Sequence, residues 1–442
     1  MLRRVNEPVN PEGAVVPIGK ARYPAPFDSV LEFNAPVHGT WNIVHTGMLV
    51  PGAQQVYVCA ANCMRGVTLT AAEMNELERF SFVILEEEDL VEGTVEEVTI
   101  EGVTDVLRKL PQLPPAVLLF TVCVHHFLGC DYEHIYRTLE ERFPTVDFCR
   151  CYMDPIMQKG GLTPDQKLRR SIYELLRPLP PKEGVVALLG SDFSTDETGD
   201  LAAYLRENGV ELRQLPDCKS YAEFLNMAEA ELFVSVYPPG FWGARMAVKR
   251  LNRPHLYLPQ CFGYGEIAAH LNALSEALHL PPFDCAAGEE RAEAALSETL
   301  ALVGTTPIAI DATVHPRPLG LALLLLRHGF KVDTVYLDAV SAEEEQVFRI
   351  LQTEAPDLLL KATIQPKARV LPRGRAEKVL AIGQKAAWFE DTPHFVNMVQ
   401  GAGLWGFDGI CRLCELMREA YLEEKDTEDL VPRKGWGCES CV

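Results

Sequence analysis

Three successive α/β domains, each built on a parallel sheet, are what this sequence predicts, and two patterns carry the expectation. Strand-length runs such as Ala116-Val-Leu-Leu-Phe-Thr-Val are continuously apolar rather than alternating, which marks strands buried on both faces, as in parallel sheets. Helical stretches separate such runs, and strand–helix alternation builds parallel sheets rather than sandwiches. The 442 residues leave room for two or three such units.

The first unit spans 1–181. A helix is expected to start at Thr70, where Thr70 and Glu73 match a capping box. The apolar run from Ala116 ends at Cys123, which places that thiol at the carboxyl end of a strand, where open α/β sheets hold their ligands. Asp147-Phe-Cys-Arg-Cys-Tyr reads as another strand, with Cys149 and Cys151 expected on opposite faces. The linker Arg177-Pro-Leu-Pro-Pro-Lys-Glu-Gly opens the second unit, 182–299. Strands are expected at 184–190, 210–215, 230–236 and 254–258, with a helix at 195–207 closed by Asn208-Gly209. Cys261 follows the last of these strands and precedes a helix over 264–278. The third unit, 300–425, repeats the pattern with strands at 307–311 and 331–337 around a helix over 319–328. A tail, 426–442, carries Cys438 and Cys441 as a C-x2-C pair.

Composition narrows the function classes. Hydrophobic residues make up 48% and charged residues 23%, ordinary values for a soluble globular protein. The apolar stretch from Leu319 is interrupted by Arg327 and is too short to span a bilayer. A formal charge of -21 repels phosphate backbones and anionic lipid, so neither nucleic acid nor membrane is an expected partner. No apolar segment follows Met1-Leu-Arg-Arg, so the chain is read as cytoplasmic.

In that compartment thirteen cysteines point to metal or redox chemistry rather than to disulfides. Cys59 and Cys63 form a C-x3-C pair, and Cys123 and Cys130 bracket Val-His-His-Phe-Leu-Gly. Thiolates at loop ends suit soft metals and iron–sulfur clusters. Cys218, Cys285, Cys411 and Cys414 are read instead as core residues, since a free cysteine packs as a small hydrophobe. Leu189-Gly-Ser-Asp-Phe-Ser follows a strand but is not G-x-G-x-x-G, and the chain has no G-x4-G-K-[ST] and no H-E-x-x-H, so a dinucleotide site at that strand end, an ATP-binding loop and zinc-peptidase chemistry find no support.

Five short segments, in order, resemble the α-type subunit of the nitrogenase superfamily's catalytic component. They are His45-Thr-Gly-Met-Leu-Val-Pro-Gly, the acidic segment from Phe82 to Thr94, Cys123 to Ile135, Cys261 to Leu271, and Gly406-Phe-Asp-Gly. The resemblance runs from about His38 to Glu423. That superfamily includes nitrogenase, its cofactor-assembly scaffold and tetrapyrrole reductases. It implies three Rossmann-like parallel-sheet domains in the nitrogenase component 1 arrangement. It also implies a β-type partner subunit or a second copy of the chain, and a separate ATP-hydrolysing iron protein as electron donor.

The resemblance also implies site residues. The family's loop cysteine falls here near Ala53, and Cys59 and Cys63 replace it. An electron-relay iron–sulfur cluster, [4Fe-4S] or P-cluster-like, would then be held by Cys59, Cys63 and Cys123. Cys130 is either a fourth ligand or the residue that leads into a helix. Cys261 takes the position that anchors a second, larger iron–sulfur cofactor in nitrogenase. Its opposite ligand there is a histidine; here Val396 stands nearest that place, flanked by His394 and Asn397. His125 and His126 would tune the relay cluster through hydrogen bonds. The implied function is a nitrogenase-like reductase subunit, with a cluster-assembly scaffold or a tetrapyrrole-reductase-like subunit as alternatives. Without a phosphate-binding loop, the purified chain alone is expected to hydrolyse no ATP; phosphate release above the blank, from the chain by itself, would contradict this.

Overall fold

The computed structural model describes residues 12–28, 43–154 and 161–426, so Cys438 and Cys441 lie outside the described residues. Three sheets organise the chain. The first contains β2 (Gln54–Cys59), β3 (Phe80–Ile84), β4 (Ala116–Val122) and β5 (Asp147–Met153), all parallel, in the order β3-β2-β4-β5. The second holds β6 (Lys182–Leu188), β7 (Glu211–Gln214), β8 (Ala230–Ser235) and β9 (His255–Tyr257), again all parallel, in the order β7-β6-β8-β9. The third runs β1-β12-β11-β10-β13-β14, built from β1 (Val15–Pro17), β10 (Ile308–Asp311), β11 (Val332–Tyr336), β12 (Leu359–Lys361), β13 (Leu380–Ile382) and β14 (Phe395–Val396). The expected three parallel-sheet α/β units are therefore present.

One strand crosses the expected boundary. β1 pairs antiparallel with β12, Val16 opposite Leu360, so this part of the first segment completes the third sheet. The physical reason is edge protection: β12 would otherwise present an unpaired row of backbone groups.

The three units share their cores. Val185 and Ala187 of β6 pack with Leu118, Phe120 and Ile172 of the first unit. Val186 and Leu188, on the opposite face of the same strand, pack with Ile308, Ile310 and Leu325 of the third. Period-two alternation thus makes the middle sheet a partition between its neighbours. Gly190 and Gly240, in the loops after β6 and β8, meet backbone to backbone. A Cβ on Gly240 would lie 2.4 Å from the Cα of Gly190, and Gly190 itself holds φ +93.

Three local expectations fail for identifiable reasons. The helix read as starting at Thr70 spans Met64–Glu73, and the Thr70 hydroxyl donates back to the Gly66 carbonyl at 3.0 Å. The capping-box spacing was thus met inside a helix, near its end. The helix expected at 195–207 begins only at Asp200. Cys149 and Cys151 lie on one face of β5, not two, with sulfurs 3.6 Å apart, because residues two apart in a strand point the same way.

The second unit is tied to the C-terminal helix Gly406–Leu422 by a carboxylate pair. Buried Asp200 accepts the backbone N–H of Asp408 at 3.1 Å, and Arg291 reaches Asp200 at 3.2 Å and Asp408 at 3.0 Å. Burial and the facing Asp408 push the Asp200 carboxyl up to about 7. The folded state therefore holds an extra proton between the unfolded carboxyl value of about 4 and pH 7. The stability from this proton is complete below the unfolded value and lost as pH rises through the folded one. The melting temperature of the native chain is expected to drop about 2 °C further between pH 6 and pH 8 than that of Asp200→Asn; parallel curves by calorimetry would refute it. Gly240→Ala is expected to cost about 1–3 kcal/mol through overpacking against Gly190, read as a lowered urea midpoint, and an unchanged midpoint would show that the two loops part freely.

Candidate functional site

The first sheet reverses its winding between β2 and β4, and a cleft outside the carboxyl ends of such neighbouring strands is where α/β sheets bind ligands. Two expected thiols stand there. Cys59 is the last residue of β2, and Cys123 opens the helix Cys123–Phe127 directly after β4. Cys63 lies between them in the short turn Ala61–Cys63 and is exposed, whereas Cys59 is fully buried. Cys63 links the three electrostatically. Burial, then the neighbouring Cys63, pushes the Cys59 thiol up to about 12, and burial, then Cys123, raises Cys63. The donor chemistry of this trio fits a soft iron–sulfur centre. Among the described residues, however, no three His, Cys, Asp or Glu side chains gather closely enough to hold a metal ion.

The surroundings of the trio are apolar and open. Ile84, opposite Cys59 in the β2–β3 ladder, is 39% exposed; Phe127 and Leu128, just beyond Cys123, are 61% and 47% exposed. Cys130 does not join the trio. It packs with Val103, Ile135 and Val58 on the other face of the sheet, while Cys59 packs with Tyr57 and Phe120. Burial and Glu96 raise its thiol. His125 is buried and faces inward: the Val122 N–H donates to its Nδ1 at 3.3 Å and its Nε2 meets Thr99 Oγ1 at 3.0 Å. Burial drives it down to about 4, so the imidazole is neutral and both its nitrogens are engaged in holding the strand exit.

The second expected site is not assembled around Cys261. This thiol is buried among Ile310, Leu319, Met398 and Trp405, and its Sγ lies 3.8 Å from His270 Nδ1. Burial first, then Glu266, raises it well above the usual thiol range. The void beside it measures about 20 Å³, room for a single water at most. His394 is elsewhere, its Nδ1 against the carbonyls of Ala420 (3.1 Å) and Glu423 (3.2 Å) at the end of the C-terminal helix. Asn397 is exposed and accepts a hydrogen bond from Gln384 at 2.7 Å. The structure therefore does not bring His394 or Asn397 to Cys261.

A larger opening lies where the carboxyl ends of the second and third sheets face each other. This cleft has a volume of about 420 Å³ and is lined by residues following β8 (Tyr237, Phe241, Trp242), β10 (Thr313), β11 (Glu343) and β14 (Gln400). Behind it Arg169, held by Asp165 and Asp192, sits 5.2 Å over the ring of the lining residue Tyr237. Sequence reading missed Tyr237, Trp242 and Gln400. The available signals were the Gly-rich run Gln400-Gly-Ala-Gly and the Pro-Pro-Gly turn before Phe241, both marking backbone bent for a purpose.

Comparison with known proteins agrees with this architecture. Two solved structures, "Nitrogenase Cp1 at pH 6.5" and "Nitrogenase Cp1 at pH 5", superpose with TM-scores of 0.66 and 0.60 at 13% identity each. The first match covers 89% of this chain and 94% of that one, the second 95% of each. At such identity the likeness concerns the fold. No curated protein sequence matches the chain. The family model for nitrogenase component 1 type oxidoreductase matches residues 46–421, and the chain belongs to that family.

Proposed function

We propose that this chain is the electron-accepting component of a nitrogenase-like reductase. Cys59, Cys63 and Cys123 would hold an iron–sulfur cluster whose remaining ligands come from a β-type subunit or a second copy of the chain. The observation that carries this reading is the placement of the three thiols at the reversal point of the first sheet, one of them open to solvent within an apolar rim. Exposed Ile84, Phe127 and Leu128 are costly in water and gain by being covered, at about 25 cal/mol per Å² buried. A partner seated there would cover the thiols as well. When bound, the cluster supplies one-electron transfer at low potential.

The chain's own residues set the conditions. Buried Cys59 must give up a proton that burial holds tightly, so loading releases protons and favours alkaline pH. Neutral His125 fixes the strand exit from which Cys123 projects. Electrons would come from a separate ATP-hydrolysing iron protein, and the cleft between the second and third sheets would be the second, substrate-bearing site. The family's cofactor-assembly role is less well supported, because a scaffold needs an accessible ligand at its second site and Cys261 is sealed.

Anaerobic reconstitution with iron and sulfide tests the ligand set. Cys123→Ser and Cys63→Ser are each expected to lose at least half of the bound iron and its visible charge-transfer band, while Cys130→Ser and Cys218→Ser keep both, within roughly the 10–100-fold affinity range seen for ligand-shell changes. Equal iron in all four variants would remove the proposed site.

A further inference from the structure

We infer that the cleft between the second and third sheets takes an organic cation, an apolar aromatic body carrying one protonated amine or amidine that the Glu343 carboxylate holds. This rests on the reading of the cleft as the substrate-bearing site. Its volume of about 420 Å³ falls within the usual range for small-molecule pockets, roughly 300–1,000 Å³.

The walls set the sign of the charge. Among the described residues that line the cleft, Glu343 is the one charged side chain, and it is exposed. Neither lysine, arginine nor histidine joins it there. A ligand bearing a carboxylate or phosphate would lose water without meeting a cation, which is costly, and would face a like charge. A protonated amine or amidine would instead gain a charge-assisted hydrogen bond.

The carboxylate stands beside aromatic surface. The Tyr257 hydroxyl donates to Glu343 Oε1, which leaves the second oxygen to a ligand. The Tyr257 ring lies 4.3 Å from that of Phe241, centroid to centroid, so one phenol spans the gap between carboxylate and ring. Phe241 and Trp242 meet at 64° with centroids 5.7 Å apart, and Tyr237 adds a third ring to the lining. Trp242 remains 45% exposed, a large apolar surface left uncovered. Aromatic faces attract cations, that of tryptophan most strongly, and they also stack on a conjugated body.

Two positive influences act from nearby. Arg245 lies outside the lining, 6.0 Å from the Phe241 ring and 5.8 Å from that of Trp242, and it is exposed to solvent, where salt screens it. The helix Phe241–Leu251 turns its positive end toward the cleft, an effect that fades within one turn. A carboxylate in contact with the ligand outweighs both.

Calorimetric titration of the full chain with 2-naphthamidine, 2-naphthamide and 2-naphthoate tests the inference, because one ring system then carries a positive, no and a negative charge. The amidine is expected to bind about tenfold more tightly than the amide, and the naphthoate most weakly of the three. Glu343→Gln, which keeps an acceptor for Tyr257, is expected to abolish the preference for the amidine. The formal charge of -21 attracts any cation weakly, so a preference that survives this change is non-specific. Trp242→Ala, an exposed change that leaves the core intact, is expected to weaken amidine and amide alike by about fivefold. Absence of amidine binding, equal affinity for the amide, a preference indifferent to Glu343→Gln, or affinities indifferent to Trp242→Ala would each overturn the inference. Amide binding that Trp242→Ala weakens, with no preference for the amidine, removes the cation and keeps the cleft as a ligand site. Iron loss in Cys123→Ser reads the relay cluster alone, so either proposal can fail without the other.

Discussion

The buried guanidinium of Arg169 is the constraint on which the arrangement of the domains depends. It is 2% exposed and bridges Asp165, on its own helix Pro164–Glu174, to Asp192 in the loop after β6, with a further hydrogen bond to the Gly190 carbonyl at 2.7 Å. Thr46 of the first unit closes the set at 3.4 Å. Removing one member of such a buried group leaves an uncompensated charge, worth about 3–5 kcal/mol. Two carboxylates share one cation, and burial together with Asp192 lifts the Asp165 carboxyl. The group therefore adds little net stability compared with apolar packing; what it secures is register. It fixes the loop after β6 against the first unit, and the same guanidinium lies over Tyr237 at the cleft.

From that register follows the division of the molecule into two chemically unlike places. The first sheet reverses at its surface, where thiols and exposed apolar side chains coincide. The second and third sheets present their carboxyl ends to one another, and the loops there carry aromatic rings and amides. The Gly190–Gly240 contact lets the loops after β6 and β8 cross without side chains between them. Phe241 and Trp242 then start a helix at the cleft edge rather than under it. Backbone geometry, more than any one side chain, puts these rings where a ligand would meet them.

Much of the fold was legible because burial on both faces leaves a plain signature. β4 is buried at every position, and its continuous apolar run marked it as a central parallel strand. The helix Tyr264–Leu278 begins and ends where the sequence placed it. What failed were inferences from spacing without context. Thr70 and Glu73 have the spacing of a helix start, but the helix begins at Met64 and its end is set by Asn75 in left-handed conformation. β1 was not legible as part of the third sheet, since three residues carry no information about a partner more than three hundred positions away. For the candidate sites, the strand-end positions of Cys59, Cys123 and Cys261 could be read, but not the direction of each side chain. Direction separates Cys59 from Cys130 across one sheet, and turns Cys261 from the cleft into the core.

The contrast between Cys63 and Cys261 shows why position at a strand end is not enough to make a metal ligand. A thiol ligates as thiolate, and losing its proton in an apolar interior is unfavourable unless a cation is near. His270, 3.8 Å from the Cys261 sulfur, is held below the usual imidazole range by burial, and the Arg317 guanidinium is spent on Glu266 at 2.6 and 3.2 Å. His315 is driven down to about 3 by burial and is neutral, so it brings no charge either. Glu266 itself adds to the rise of the thiol. A metal arriving there would have to displace the proton, open a void sized for one water and separate Arg317 from its partner. At Cys63 burial and Cys123 also raise the thiol, but no void has to open and no ion pair has to part, and the thiol already faces solvent. The surroundings of the two thiols therefore make soft-metal ligation easier at Cys63 than at Cys261.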